Sequence, residues 1–513
     1  MTTDRSVVRP GAPGPTGYRP LVRAAGEPHA VRTDLAPRAD GPAEPLVAIA
    51  HLSDLHVCDH QSPARVEFLD RWADPDSPVL EQLGEVGAYR AQELLNAQVV
   101  AATVRAVNAT AVAPVSGAPV DIAVVTGDNT DNSQANELAW YLALLDGGDV
   151  VPDSGDPERY EGIADDEVWD ERYWHPESVK PDRPRELYGL PTVPGLLDAV
   201  RRPFRSDGLR MPWLAVHGNH DQLVQGTVPG AAGLMAAAVG GRKAVALPEH
   251  WSNEQVLGLM AGLAACDPQA LQALAETQFR EVTADPARRL VSREQFVRAH
   301  RHEGARPDGH GFASDQRAYY RHDHGTVRFL AMDTVNTNGG WEGSLDHPQL
   351  AWLDSELATA DTDGRYAVLL SHHPLETMVN GIGGERVLGA ELLAVLNAHP
   401  SAVLWLAGHT HAVGVSAHGS LWEVVAPSLV DWPQQGRIVE VSRRGGRLEI
   451  AATMLDHSGT VPWDGSIGTV EALAGLSREV AANDWQWRHY ESHPRVGTVR
   501  DRNVLMYLPD PFG

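Results

Sequence analysis

The sequence is poor in cysteine, in positive charge and in long apolar runs. Only two cysteines occur among 513 residues, Cys58 and Cys266, so disulfides are not the stabilising principle. The net charge of -26 argues against a protein that wraps duplex nucleic acid. No run reaches the length of a membrane span, and the amino terminus has neither a signal-peptide core nor a twin-arginine pair. These absences predict a cytoplasmic protein without nucleic acid or membrane partners.

The chain has, instead, the composition of a globular protein with a large core. Hydrophobic residues make up 43% of the sequence and charged residues 21%. A length of 513 residues suits two or three ordinary domains, or one large domain with insertions.

Five apolar, strand-forming runs end abruptly in residues that bind divalent metals. The clearest run, Ala402 to Ala407, stops at Gly408 and then presents His409 and His411 at alternate positions. A buried strand that delivers two imidazoles from its carboxyl end is typical of a metal site. The other four runs are followed by Asp54 and His56, by Asp128, by Asn219 and His220, and by His372 and His373. The sequence therefore predicts a metal centre at these strand ends.

The spacing of apolar residues between these runs predicts further elements. The recurrence from Val79 to Val107 predicts one crossover helix that joins the first two strands. Other predicted helical segments are Glu137 to Leu145, Glu254 to Phe279, Pro348 to Leu357, and Gly389 to His399. A hairpin is predicted around Gly325. Predicted antiparallel strands that close the sheet are Leu421 to Val425, Gly436 to Val441 and Leu448 to Met454.

The ordered set of motifs resembles the calcineurin-like metallophosphoesterase superfamily. The motifs are Asp54-x-His56, Gly127-Asp128, Gly218-Asn219-His220-Asp221, His372-His373-Pro374 and Gly408-His409-x-His411, in the family's order. Each motif alone is a weak signal, whereas the ordered set is specific. The resemblance covers about residues 46–145, 212–222 and 315–455. The long insertions resemble a bacterial, mainly actinobacterial, branch of this superfamily.

This resemblance implies a fold and a set of metal ligands. The fold is a four-layer α/β/β/α sandwich with two mixed sheets face to face and helices outside. The implied ligands of one metal ion are Asp54, His56, Asp128 and His411, and those of the other are Asp128, Asn219, His372 and His409, with Asp128 bridging. Such oxygen and imidazole ligands suit two ions of manganese, iron or zinc, with magnesium and cobalt as alternatives.

The same resemblance implies hydrolysis of a small phosphate monoester or diester by a hydroxide that bridges the two metal ions. His220 matches the family's general acid, and Asp131 matches the carboxylate that orients it. Asn132 stands where phosphoprotein phosphatases have an arginine, and Asp131 stands where plant-type purple acid phosphatases have a tyrosine ligand. The sequence therefore favours a phosphodiesterase-like or small-phosphoester enzyme.

Several alternatives stay open. The nearest is a 5′-nucleotidase or nucleotide pyrophosphatase of the same superfamily, and the acidity of the chain disfavours a nuclease. A binding protein that keeps the fold without turnover would have lost ligands, and all of them are present. A structural or metal-storing centre would have no need of the His220 and Asp131 pair. The sequence makes no prediction of oligomeric state.

The resemblance also divides the chain. We predict an N-terminal extension over residues 1–45, a catalytic domain over 46–455 and a C-terminal extension over 456–513. Within the catalytic domain, insertions are predicted at about 146–211 and 222–310. The first insertion is either a flap over the site or a surface loop.

Overall fold

A computed structural model of the chain describes residues 1–73, 77–83, 89–222, 224, 226, 232–248, 250–264, 267–273, 277–314, 316–484 and 494–513. Cys266 lies outside these residues. The strands are β1 (Ser6–Pro10), β2 (Leu21–Ala25), β3 (Ala30–Arg32), β4 (Glu44–Leu52), β5 (Ile122–Thr126), β6 (Gly148–Val150), β7 (Phe204–Ser206), β8 (Trp213–Val216), β9 (Arg242–Ala246), β10 (Gln278–Glu281), β11 (Tyr320–His324), β12 (Val327–Ala331), β13 (Tyr366–Leu370), β14 (Ala402–Ala407), β15 (Gly414–His418), β16 (Leu421–Val425), β17 (Gln435–Arg444), β18 (Arg447–Asp456) and β19 (Val504–Pro509).

The helices lie between the central strands, in the two insertions and, for the last of them, in the C-terminal segment. They are α1 (Asp70–Ala73), α2 (Leu80–Leu83), α3 (Asn96–Ala109), α4 (Ala135–Asp146), α5 (Arg183–Tyr188), α6 (Leu196–Arg201), α7 (Ala232–Ala238), α8 (Asn253–Ala264), α9 (Pro268–Ala273), α10 (Arg293–His300), α11 (His347–Asp363), α12 (Gly389–Ala398) and α13 (Val470–Ala481). None of the helices within the described ranges combines the length and the apolar character needed to cross a bilayer.

Two mixed sheets form the centre of the fold. Within the described residues, the larger sheet has seven strands in the order β3-β19-β18-β17-β4-β5-β8, and the smaller has six in the order β11-β12-β13-β14-β16-β15. Strands β4, β5 and β8 run parallel to one another, as do β12, β13, β14 and β16. The other strands of the smaller sheet and the pairs β17–β4, β18–β17 and β19–β18 are antiparallel.

The two sheets pack face to face because their apolar side chains bury one another. Ile49 in β4, Val368 in β13 and Leu404 in β14 belong to one buried core, which also includes side chains of α3 and α4. On the other side of the smaller sheet, a second core joins Leu369 and Trp405 to α11 and α12. Continuous burial along β13 and β14 matches their unbroken apolar runs, as expected for parallel strands covered on both faces. The predicted four-layer sandwich of two mixed sheets is thus confirmed.

The predicted crossover helix from Val79 to Val107 is correct only in its second half. The structure has a short α2, then residues 84–88 that lie outside the described ranges, and α3 begins only at Asn96. The backbone N–H of Tyr89 donates to Asp70 Oδ1 over 2.7 Å, and the Tyr89 ring is buried with Trp174 of the first insertion. The apolar spacing before Asn96 reflects this burial rather than a continuous helix.

Two smaller predictions also need correction. Phe279 lies in β10, which pairs with β9, so the helical stretch ends before it. Strand β16 runs parallel to its neighbour β14 and antiparallel to β15, whereas β17 and β18 form an antiparallel hairpin in the other sheet. The hairpin around Gly325 and the helices α4, α11 and α12 are confirmed.

Both terminal segments join the larger sheet. Strand β3, from the segment predicted as an N-terminal extension, pairs in parallel with β19, from the predicted C-terminal extension. Strand β19 pairs in turn with β18. The segments outside the family resemblance therefore complete one edge of the central sheet.

Each insertion is tied to a loop that follows a site strand. In the first insertion, Asp153 Oδ1 accepts from Gln61 Nε2 over 2.7 Å, and the backbone N–H of Glu161 donates to Gln61 Oε1 over 2.7 Å. In the second, the backbone N–H of Val291 donates to the carbonyl oxygen of Ser133 over 2.8 Å. The insertions thus contact the loops just beyond His56 and Asp131.

Candidate metal centre

The parallel strands deliver the predicted ligands to one region between the two sheets. In the larger sheet, adjacent strands β4, β5 and β8 end just before the motifs that begin at Asp54, Asp128 and Asn219. In the smaller sheet, adjacent strands β13 and β14 end just before His372 and His409. The two edges touch directly, since the backbone N–H of His409 donates to Asp54 Oδ1 over 3.0 Å.

Two glycines permit this close approach. A Cβ atom at Gly408 would lie 1.8 Å from Ser53 Oγ and 2.4 Å from Asp54 Oδ2. A Cβ atom at Gly218 would lie 2.1 Å from the backbone nitrogen of Asp128. Because any other side chain would displace a predicted ligand, the glycines before the motifs are required by packing.

Backbone strain is concentrated at the same place. The described residues include nine non-glycine residues with positive φ, and five of them are predicted metal ligands: Asp54, His56, Asp128, His409 and His411. Such conformations cost free energy and are retained mainly where the surroundings enforce a functional geometry.

The first ligand cluster, called subsite one, consists of Asp54, His56, Asp128 and His411. Their ligand atoms all lie within 4.8 Å of one another. His56 Nε2 and His411 Nε2 are 3.0 Å apart, and His411 Nε2 is 3.4 Å from Asp54 Oδ1. These side chains are buried. The 3.0 Å separation of the two Nε2 atoms is that expected of two ligands that bind the same ion, each at about 2.1 Å.

The second ligand cluster, called subsite two, consists of Asp128, Asn219, His372 and His409. His372 Nε2 lies 2.9 Å from Asn219 Oδ1 and 3.2 Å from Asp128 Oδ2. His409 Nδ1 lies 3.0 Å from Asn219 Oδ1. Asp128 Oδ2 is also 3.7 Å from His56 Nε2 in subsite one, so this single oxygen stands between the two clusters. The structure thus places the predicted ligands in two groups with Asp128 between them, and their assignment as metal ligands stays a prediction.

The donor chemistry of both subsites fits cations. His56 Nδ1 donates to Asp131 Oδ1 over 3.1 Å, and His411 Nδ1 donates to Asp431 Oδ2 over 2.6 Å, so both rings turn their Nε2 atoms toward the centre of subsite one. In subsite two, His372 Nδ1 donates to the carbonyl oxygen of Thr126 over 2.9 Å. With Nδ1 of each ring donating to a protein acceptor, Nε2 is the atom available to bind a cation.

Burial lowers the pKa of His56 and His409, whereas nearby carboxylates raise the pKa of the other two ligand histidines. Burial lowers the pKa of His372, but the Asp128 carboxylate outweighs it and raises that pKa to about 9. Burial likewise opposes protonation of His411, and hydrogen bonds to Asp431 and Asp54 raise its pKa to about 9. Both histidines therefore bind a proton strongly in the absence of metal, as expected where the surroundings favour positive charge. The residues present thus suit two metal ions.

His220 and Asp131 form a pair beside subsite one. His220 Nδ1 donates to Asp131 Oδ1 over 2.9 Å, and His220 Nε2 is 3.9 Å from Asp128 Oδ2. The side chains of His220 and Asp131 are each 13% exposed, against 2% for Asp128, so this pair lies on the solvent side of the centre. The backbone N–H of His220 also donates to Asp128 Oδ1 over 2.8 Å.

His373 has both ring nitrogens occupied. Its Nε2 donates to the carbonyl oxygen of Trp341 over 2.9 Å, and its Nδ1 accepts from Thr334 Oγ1 over 2.7 Å. Although His373 lies near His372 and His409, these contacts give it a structural role.

Sequence reasoning missed the residues behind the ligands. Asp431 bonds to His411, and the Arg65 guanidinium donates to Asp131 Oδ2 over 2.7 Å. Neither residue belongs to a motif at the end of an apolar run, and both are distant in sequence from their partners. No local signal could have found them.

Comparison with solved structures finds distant likenesses, among them the following two. A dimetal phosphatase from Danio rerio is 13% identical, with 81% of this chain and 100% of that chain covered and a TM-score of 0.35. The calcineurin-like phosphoesterase YfkN from Bacillus subtilis is 10% identical, with 87% and 99% covered and a TM-score of 0.28. No protein-family model and no curated protein matches the sequence. Because both TM-scores are low, these likenesses carry no argument about function.

Proposed function

We propose that this protein is a dinuclear-metal-dependent phosphoester hydrolase. The observation that supports the proposal is the shared Asp128 oxygen between two ligand clusters, with His220 held by Asp131 beside them. The residues of subsites one and two would hold two metal ions, which would supply a nucleophilic water and offset charge on the phosphoryl oxygens. A purely structural centre would need the ligands but not the pair on the solvent side.

Residues of the chain position the two subsites and supply the proton for the leaving group. Asp128, held by the backbone N–H of His220, keeps the two subsites in register. Asp131 accepts a hydrogen bond from Nδ1–H of His220. Nε2 is therefore the ring atom that can donate a proton to the leaving oxygen. Burial of the ligand side chains excludes bulk water and strengthens these electrostatic interactions.

We further propose a phosphate diester or another small phosphoester as substrate, rather than a phosphoprotein. Asn132 takes the place of the arginine in phosphoprotein phosphatases, and its amide donates to Glu137 Oε1 over 2.6 Å. It therefore offers no cation to a phosphate dianion, whereas a diester monoanion requires less positive charge.

Hydrolysis assays on chelator-stripped protein test the proposal. We expect bis-p-nitrophenyl phosphate to be turned over once manganese, zinc, iron or magnesium is restored, and faster than p-nitrophenyl phosphate. Turnover of the monoester alone would move the assignment to a phosphatase or a nucleotidase. Lack of turnover of both esters, with two metal ions bound, would contradict the proposed activity.

A further inference from the structure

A buried chain of charged side chains connects the two carboxylates that lie behind subsite one. Arg65, which donates to Asp131, also pairs with Glu93. Arg90 Nη1 lies 3.5 Å from Glu93 Oε1, and Arg90 Nε donates to Asp431 Oδ1 over 2.9 Å. We call this set of five residues the charge chain.

The charge chain closes a ring through the metal ligands. Asp131 at one end accepts from His56 Nδ1, and Asp431 at the other end accepts from His411 Nδ1. The ring is completed by the 3.0 Å separation of His56 Nε2 and His411 Nε2. Acidic and basic side chains alternate along the chain, which satisfies the requirement that buried charges be paired.

Burial makes this arrangement rigid. The residues Arg65, Arg90, Glu93 and Asp431 are 6%, 7%, 8% and 1% exposed. A planar guanidinium that binds two carboxylates fixes their orientation, and a lysine could not do so in the same way. The charge chain therefore holds Asp131 and Asp431 where each keeps a histidine in the tautomer that presents Nε2.

Subsite two lacks such support at His372. Its Nδ1 donates to a backbone carbonyl, which is neutral, rather than to a carboxylate. A carboxylate behind a ligating histidine makes the imidazole a stronger donor, and loss of such a partner typically weakens metal affinity by about 10- to 100-fold.

We propose that Arg65, Glu93 and Arg90 are positioning residues that, through Asp131 and Asp431, make subsite one the tighter of the two metal subsites. This inference rests on the proposed dinuclear centre, but it concerns metal affinity and not the reaction. It therefore predicts which subsite fills first.

Titration of the full, chelator-stripped chain with Mn²⁺, followed by the electron paramagnetic resonance signal of free Mn²⁺, tests the proposal. We expect two binding steps. Replacement His409→Ala removes a ligand of subsite two and should abolish the weaker step. Replacement Asp431→Asn keeps the side-chain shape and should weaken the tighter step by about 10- to 100-fold while the weaker step stays unchanged.

Variants of Arg65 separate positioning from simple folding. Arg65→Met should weaken the tighter step, and Arg65→Lys, which keeps a cation near Asp131, should weaken it less. The matched control is Arg328→Met, because Arg328 is likewise a buried arginine, 3% exposed, and donates to Asp323 Oδ1 over 2.8 Å in the hairpin of β11 and β12. We expect that control to lower thermal stability without changing either Mn²⁺ step.

Three results would overturn the inference. They are loss of the tighter step in His409→Ala, equal weakening of both steps in Asp431→Asn, and unchanged binding in both Asp431→Asn and Arg65→Met. Two-step binding with the expected variant effects but no hydrolysis would refute the proposed function and leave this inference standing. Absence of Mn²⁺ binding would refute both.

Discussion

Replacement of His220 by alanine is expected to slow hydrolysis most for esters whose leaving group must be protonated as it departs. The ring donates from Nδ1 to Asp131 over 2.9 Å and lies 3.9 Å from the shared Asp128 oxygen, so its removal deletes a proton donor and no predicted ligand. The contact that fixes Asp128 comes from the backbone N–H of His220 and survives the replacement. Metal content should therefore stay the same.

The magnitude follows from general acid catalysis, which contributes about 10²- to 10⁴-fold to the rate. At 1.36 kcal/mol for each tenfold, the barrier for a poor leaving group rises by about 2.7–5.4 kcal/mol. A p-nitrophenolate leaves without protonation, so esters of p-nitrophenol should lose little rate. Alkyl or unsubstituted phenyl esters should lose the full factor.

The assay measures kcat/KM for a series of aryl phosphate diesters that differ only in the acidity of the leaving phenol, in parallel with metal analysis. As the leaving phenol becomes less acidic, kcat/KM of the variant should fall more steeply than kcat/KM of the unaltered protein. His399→Ala is a matched control, because His399 is 12% exposed, its Nδ1 bonds to Asp361 over 2.6 Å, and it belongs to none of the candidate metal groups among the described residues. An equal loss of rate for all esters, or a loss of metal, would refute the role of His220 as acid.

Further predictions concern the ligands and the packing behind them. Asp128→Asn removes the shared carboxylate charge, so isothermal titration should show at most one metal ion bound and hydrolysis should be lost. Gly408→Ala places a Cβ 2.4 Å from Asp54 Oδ2 and should cost about 1–3 kcal/mol in urea unfolding with chelator present, together with weaker metal binding. Leu404→Ala, fully buried between the two sheets, should lower the free energy of unfolding by about 2–5 kcal/mol with metal stoichiometry intact. Saturating metal should raise the melting temperature, because binding at 100 times Kd adds about 2.7 kcal/mol to the free energy of unfolding. A melting temperature that chelator does not change would contradict a resident metal.

The central strands and the meeting of the motifs at their ends could be predicted because both signals are local. A run such as Ala402 to Ala407 is apolar along its whole length, and burial on both faces of a parallel strand demands that pattern. The glycine and the two histidines that follow it are spaced for a strand end. Neighbouring parallel strands then bring separate motifs together without further information.

The segment before α3 shows where local patterns fail. Tyr89, Leu94 and Leu95 recur at helical spacing, yet they are buried against the first insertion. Their spacing results from a tertiary contact. A short stretch of sequence cannot distinguish such a contact from an amphipathic helix. The charge chain could not be predicted for the same reason, because its ion pairs join residues as far apart in sequence as Arg90 and Asp431.

The measurement that tests the central claim most directly is anomalous X-ray diffraction from crystals of the protein soaked in Mn²⁺. We expect two peaks about 3.5–4 Å apart, one on each side of Asp128, with His56 and His411 at one and His372 and His409 at the other. A single peak, or peaks away from Asp128, would contradict a dinuclear centre and the function built on it.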